Sequence, residues 1–104
     1  MKNIKIATAQ FEHKSADKNY NLSVIENLAG KAAAEGADVI AFHECSVTGY
    51  TFARHLSKEQ LVDVAELIPG GSSLKKLTEI AAAYNIIVLA GLFEKDEMGR
   101  VFKA

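Results

Sequence analysis

The sequence ADVIAFHECSVTGY, residues 37–50, places ionisable residues directly at the end of a short apolar run. Residues 39–42 are apolar, and His43, Glu44 and Cys45 follow. A short continuous apolar run is typical of a strand that is covered on both faces. The carboxylate of Glu44 therefore begins at the edge of a low-dielectric interior, which suits a general base. The alternative is a solvated carboxylate at the mouth of a loop.

The residues before this stretch predict a strand followed by a helix. Residues 3–10 alternate between two sides with a period of two, which is typical of a strand. Apolar residues then recur at helical spacing between Asp17 and Glu35, and Gly36 stands where a helix C-terminus favours a left-handed residue. With the strand at residues 37–42, these elements form one predicted βαβ unit, whose crossover we expect to be right-handed.

The residues after the stretch predict two helices, a third buried strand and a hairpin. Ser57 and Gln60 form a candidate capping box for a helix that Pro69 closes. We interpret Gly70 and Gly71 as a turn, because they lie between two helices and lack the spacing of a phosphate-binding loop. The remaining predicted elements are a helix from Ser72 or Ser73 to near Asn85, a buried strand over residues 86–93, a hairpin loop over residues 94–100 with Gly99 at its turn, and a strand from residue 101.

The composition is that of a globular domain. The chain has 104 residues, of which 49% are hydrophobic and 24% charged, and its 12 basic and 13 acidic residues form no run of one sign. We therefore expect small molecules or other proteins as partners, and neither nucleic acid nor a membrane. The absence of an apolar signal-peptide core and the single cysteine favour a cytoplasmic protein.

The predicted elements leave one face of the sheet without a cover. Two or three apolar strands with helices on one side expose the opposite face, and large exposed apolar faces normally have a partner. We expect that face to be covered by further residues of the same protein, by a second sheet or by another copy of the chain.

Cys45 and the histidines are alternative candidates for chemistry. Adjacent strand residues point to opposite faces, so Glu44 and Cys45 do not converge on one substrate while the strand persists. His43 and Cys45 suggest a Cys-His dyad, but no third group clearly orients that histidine, and a lone buried cysteine is usually a small hydrophobe. The spacing of His13, His43 and His55 does not resemble a metal-ligand cluster. We therefore predict no metal site and no cofactor.

The loop after Glu44 supplies candidate walls for a substrate crevice. Gly49 lets this loop fold tightly, so that Tyr50 and Phe52 wall one side of the crevice. Such crevices open at the carboxyl ends of the strands in open α/β sheets.

Three segments of the chain carry a family resemblance. They are IKIATAQ at residues 4–10, GADVIAFHECSVTGY at residues 36–50 and IAAAYNIIVLAGLFE at residues 80–94, with a helix carrying Asn21 between the first two. In order and spacing they resemble the N-terminal portion of the carbon-nitrogen hydrolase family, which includes nitrilases, aliphatic amidases and N-carbamoyl amino acid amidohydrolases. The most specific element is the apolar strand that runs into Glu44, followed by Gly-Tyr.

The resemblance implies an α/β fold that is part of a four-layer αββα sandwich, with the second half of the fold outside this chain. Residues 1–104 would then be the N-terminal portion of a single domain. It also implies that Glu44 is the general base of a Glu-Lys-Cys triad that hydrolyses an amide, nitrile or N-carbamoyl substrate through a covalent intermediate. The lysine and the nucleophilic cysteine would lie beyond Ala104, so we expect this chain alone to be inactive. For the complete protein the resemblance implies a homo-oligomer.

Two positions depart from the pattern of the family. His43 stands where the family usually has proline, and it adds a titratable group beside the candidate base. Lys103 stands where the family often has asparagine. Two other hypotheses stay open, namely a nitrilase-like scaffold that binds a partner without catalysis and an unrelated α/β binding module.

Overall fold

The computed structural model describes residues 3–14, 17–43, 45–48, 56–68 and 70–103. Within these ranges the chain forms three helices and five short strands. In chain order they are β1 (Ile6–Ala9), α1 (Lys18–Ala34), β2 (Val39–Phe42), α2 (Lys58–Val64), α3 (Ser72–Tyr84), β3 (Ile87–Leu89), β4 (Phe93–Lys95) and β5 (Val101–Lys103).

Three of the strands form a parallel sheet with β2 at its centre. β1 pairs with β2 so that Ile6 lies beside Val39, and β2 pairs with β3 so that Val39 lies beside Ile87. Parallel neighbours require a crossover connection, which α1 supplies between β1 and β2. The predicted βαβ unit is confirmed.

The two long helices begin and end where the sequence predicts. The side chain of Asp17 caps α1 by accepting a hydrogen bond from the backbone N–H of Tyr20 at 3.0 Å. Gly36 follows the helix with φ +85°, a conformation that glycine adopts without strain. Asn85 ends α3 in the left-handed conformation, with φ and ψ both 51°.

The core lies on one side of the parallel sheet. The apolar faces of α1 and α3 pack with Ile40 of β2 into one cluster, and Ala7 and Val88 of the flanking strands contact it. Burial of a large aliphatic side chain contributes about 1.5–3 kcal/mol each. The fully or nearly fully buried members of this cluster are Leu22, Ile25, Ala29, Ala32, Ala37, Ile40, Val47, Leu77, Ile80, Ile86 and Leu92.

The opposite face of the sheet is apolar and exposed. Ile6 of β1 is 63% exposed, and Ile87 and Leu89 of β3 are 59% and 54% exposed. The register places Ile6 and Ile87 on either side of Val39, so these side chains share one face. In the described part of the chain the helices therefore cover one face only, as the sequence predicts.

Helix α2 begins as predicted but ends earlier. Ser57 and Gln60 form the expected capping box, with reciprocal hydrogen bonds of 3.1 and 2.8 Å. The prediction that Pro69 closes this helix was wrong, because α2 ends at Val64. The chain is already extended at the next residue, and its backbone then bonds to β4.

The predicted third strand over residues 86–93 is two strands in two sheets. β3 completes the parallel sheet, whereas β4 pairs antiparallel with β5. Gly91 lies between them, and its backbone bonds to the turn after β2: its N–H donates to Oγ of Ser46 at 3.3 Å and its carbonyl accepts from the N–H of Val47 at 3.0 Å. One continuous strand over residues 86–93 is excluded, because the backbone N–H and carbonyl groups of Gly91 bond to the turn after β2 and not to a neighbouring strand.

The predicted hairpin between β4 and β5 is confirmed. Gly99 has φ +81° at the turn, and its N–H donates to the carbonyl oxygen of Asp96 at 3.0 Å. The carboxylate of Asp96 accepts hydrogen bonds from the backbone N–H groups of Met98 and Arg100.

Among the helices of the described residues, none combines the length and the apolar character that a membrane span requires.

We expect the exposed sheet face to make residues 1–104 bind a hydrophobic dye when expressed alone. The double substitution Ile87→Thr and Leu89→Thr should lower the dye fluorescence, because threonine keeps strand propensity but removes apolar area. Met98→Thr is the control, since Met98 is 82% exposed but lies on the hairpin. Equal fluorescence from the double variant and the control would contradict this account of the sheet face.

Candidate active site

Two cavities lie at the carboxyl ends of the parallel strands. Their volumes are about 430 and 360 Å³, and Phe42 and His43 at the end of β2 line both of them. The larger also includes the end of β3 and Lys103, and the smaller includes the end of β1. This edge of an α/β sheet is where ligands usually bind, so the cavities are the candidate site.

The sequence-predicted site residues Glu44, Tyr50 and Phe52 lie outside the described residues. The two sequence neighbours of Glu44 are described, and His43 and Cys45 both line the larger cavity. The role of Glu44 as a base, and of Tyr50 and Phe52 as pocket walls, therefore stays a prediction.

A completely buried turn follows the candidate base. Each of the residues 45–48 is 0% exposed, and Cys45 adopts φ +51°. β2 ends at Phe42 and Cys45 lies in the turn, so the strand alternation predicted for these positions does not extend to Cys45. Cys45 instead packs against Ala65 and Phe93, in a second apolar cluster beside β4. This burial agrees with the interpretation of Cys45 as a small hydrophobe.

The buried amide of Asn21 holds this turn. Asn21 is 0% exposed, and its Nδ2 donates to the carbonyl oxygens of Val47 and Lys14, both at 2.8 Å. Its Oδ1 accepts the backbone N–H of Lys14 at 2.9 Å. One side chain thus joins α1, the segment after β1 and the turn after β2. In the sequence its signal is a polar residue next to Leu22 at the start of the apolar face of α1.

His43 lies against two aromatic rings in the part of the chain that the structure describes. Its ring centroid lies 4.9 Å from that of Phe11 and 5.7 Å from that of His13. Neither ring nitrogen has a hydrogen-bond partner among the described residues, which leaves no bond from His43 to Cys45 for a Cys-His dyad. Burial lowers the pKa of His43, and the nearby charge of His13 lowers it further. The imidazole is therefore neutral at pH 7.

The proximity of His13 and His43 was not evident from the sequence. The two residues are 30 positions apart, yet the parallel register of β1 and β2 brings the segments that follow these strands together. Among the described residues, no group of three or more His, Cys, Asp or Glu side chains is arranged to hold a metal ion.

The fold and the cavities define an α/β protein with a candidate site at the carboxyl edge of a parallel sheet. The model of the family "Carbon-nitrogen hydrolase" matches residues 5–104. The chain belongs to this family, as the resemblance in the sequence predicts.

Two curated relatives are similar to the chain over most of its length. It is 29% identical over 93 residues to a nitrilase of Pyrococcus abyssi, and 28% identical over 102 residues to the omega-amidase NIT2 of Mus musculus. These matches cover 89% and 98% of the chain but only 34% of each relative. The chain therefore spans about a third of the length of these proteins.

The solved structures show the same fold. An amidase from Nesterenkonia sp. superposes with a TM-score of 0.67 at 24% identity, covering 95% of the chain and 40% of that amidase. Another structure of that amidase, solved after removal of a tag, gives a TM-score of 0.68 over 98% of the chain and 43% of its own. The chain has the α/β fold of part of a nitrilase-superfamily amidase.

We expect Asn21→Asp to destabilise the protein. The substitution is nearly isosteric, but it removes two N–H donors and places a carboxylate against two carbonyl oxygens, so the free energy of unfolding should fall by about 2–4 kcal/mol. Asn19→Asp is the matched control, because Asn19 lies on the same helix but is exposed, and its effect should stay within about 0.5 kcal/mol. Urea unfolding followed by circular dichroism measures both, and equal midpoints would contradict the role of Asn21.

We also expect His43 to make stability depend on pH. The pKa of His43 is lower in the folded state than in the unfolded state, so the unfolded chain binds a proton that the folded chain excludes. The free energy of unfolding should therefore fall as the pH decreases below the ordinary histidine value of about 6.5. His43→Phe retains an aromatic ring and should flatten this dependence in urea unfolding between about pH 5 and 7.5. Identical slopes for the two proteins would contradict the assignment.

Proposed function

We propose that the complete protein hydrolyses a non-peptide carbon-nitrogen bond in a small amide, nitrile or N-carbamoyl substrate. Glu44 is the general base, and it acts on a cysteine thiol supplied by residues outside this chain, with a lysine that stabilises the oxyanion. The observation that carries the proposal is the family match over residues 5–104. It is supported by the cavity that His43 and Cys45 line, since these two residues flank Glu44 in the sequence.

For an amide substrate the proposed reaction has two stages. Glu44 takes the thiol proton, and the thiolate attacks the carbonyl carbon. The C–N bond then breaks, the leaving amine takes the proton from Glu44, and a thioester remains. In the second stage Glu44 takes a proton from water, the resulting hydroxide attacks the thioester, and the C–S bond breaks to release the acid. The thiol regains its proton from Glu44.

Two features of the described residues support these roles. Cys45 is 0% exposed within an apolar cluster, which is unsuitable for a nucleophile that must reach a substrate. Burial and the charge of His13 lower the pKa of His43, which favours the neutral imidazole at the position before Glu44 in the sequence. A cation there would stabilise the carboxylate and weaken it as a base.

The relatives favour a small amide among the three substrate classes. One similar protein is named an omega-amidase and another a nitrilase. Variants of the Nesterenkonia sp. AN1 amidase have been solved in complex with butyramide and with acrylamide, and in one of them acrylamide has added to the active site cysteine. By analogy we propose a short aliphatic amide as the first substrate to test. Cytoplasmic location and assembly into a homo-oligomer remain predictions.

We expect Glu44→Gln to abolish most activity of the complete protein. The amide of glutamine has a similar shape but does not accept the thiol proton, so kcat/KM should fall by about 10²- to 10⁴-fold. Release of ammonia from a panel of small aliphatic amides measures the loss.

Three companion variants complete this test. Glu79→Gln on the exposed face of α3 should leave kcat/KM unchanged, whereas Cys45→Ala should keep turnover and cost only the packing of a small side chain. His43→Pro should also be tolerated, because it restores the usual residue of the family. Full activity of Glu44→Gln would contradict the proposal, and an inactive wild-type protein would favour the non-catalytic scaffold.

A further inference from the structure

We propose that Glu66 is a positioning residue for the candidate active site. Its buried carboxylate fixes the segment against which the turn after β2 is packed, and this turn directly follows Glu44. The inference rests on the proposed function, because it concerns the placement of the proposed base.

The carboxylate of Glu66 is buried and fully paired. Glu66 is 7% exposed, and its Oε1 accepts the backbone N–H of Ser73 at 2.7 Å. Its Oε2 accepts the hydroxyl of Ser73 and forms an ion pair with Nζ of Lys18 at 2.7 Å. Burial alone would raise the pKa of Glu66, but the hydrogen bonds from Lys18 and Ser73 outweigh it, so the pKa is lowered and the group is charged. The charge is therefore part of the folded structure.

Glu66 also caps α3 from outside the helix. Gly71 precedes α3 and has no side chain to cap it, so the N–H of Ser73 in the first turn is satisfied by Glu66. A negative charge at a helix N-terminus is favoured by the helix dipole. Gly71 lies so close that a Cβ there would sit 2.5 Å from Oε1 of Glu66. The interaction thus depends on a glycine at this position.

The backbone of Glu66 is joined to β4. Its N–H donates to the carbonyl oxygen of Phe93, and its own carbonyl accepts the N–H of Lys95, both at 2.8 Å. The side chain and the backbone together connect α1, α3 and β4 at one residue. Displacement of Glu66 would therefore also displace Ala65 and Phe93.

Ala65 and Phe93 enclose Cys45. Cys45 is 0% exposed, and its described partners in the buried cluster are Ala65 and Phe93. Cys45 has φ +51°, so the backbone turns at this residue, which follows Glu44 in the sequence. Loss of the Glu66 carboxylate should loosen this packing, expose Cys45 and disturb the placement of the preceding residue.

The test uses the complete protein with Glu66→Gln, Ser73→Ala and the control Glu26→Gln. Glu26 forms an ion pair with Lys76 at 3.3 Å that also joins α1 to α3, but both side chains are about 40% exposed. Two readouts are measured, namely the rate at which N-ethylmaleimide labels Cys45, from peptide mass spectrometry, and kcat and KM for a small amide.

For Glu66→Gln we expect labelling of Cys45 to accelerate at least about 10-fold and kcat to fall at least about 10-fold, with KM changed less than about 2-fold. Ser73→Ala should change both quantities in the same direction by less, and it serves if Glu66→Gln does not fold. Glu26→Gln should match the wild type in both.

The outcomes separate the inference from the proposed function. An active wild type whose kcat and Cys45 labelling are unchanged in Glu66→Gln and Ser73→Ala would overturn the inference. Equal effects of Glu26→Gln would overturn it too, since any ion pair between the helices would then suffice. A wild type without activity on amides contradicts the proposed function, and unchanged labelling of Cys45 would still contradict the packing role of Glu66.

Discussion

The complete burial of the turn at residues 45–48 is the constraint on which the rest of the structure depends. A turn has few backbone hydrogen bonds of its own, and water does not reach this one, so its polar groups need partners from other segments. Asn21 accordingly donates to the carbonyl of Val47, and Gly91 bonds to both Ser46 and Val47. Those contacts fix α1 and the segment after β3 relative to β2, and the larger cavity lies between the ends of β2 and β3.

The buried polar groups around this turn are stabilised in different ways. Asn21 is neutral and uses both ends of its amide, which avoids the cost of burying a charge. Glu66 is charged and is balanced by Lys18, with Ser73 filling its remaining acceptor positions. His43 has no such partner among the described residues and is kept neutral. Of these three side chains, Asn21 contacts the turn and His43 precedes the candidate base in the sequence.

Local sequence patterns predict most of the elements but not the way they are joined. The caps at Asp17 and Ser57 and the hairpin at Gly99 follow from local chemistry, and the structure has them where expected. The end of α2 and the division of residues 86–93 into two strands depend on bonds to distant segments, which no local pattern contains. For the same reason the sequence predicts Glu44 as the base from its position after an apolar strand, a prediction that stays open, but gives no sign of the contacts of Glu66.

The parallel sheet also determines when this part of the chain can fold. Val39 and Ile87 are neighbours in the sheet, although they lie 48 positions apart in the sequence. At the usual rates of translation, β2 waits roughly 2–10 s for β3 after its own synthesis. During this interval one edge of β2 is unpaired, and pairing across such long separations is slow even afterwards. The central strand of the candidate site thus passes through an interval with an unpaired edge while the chain is being synthesised.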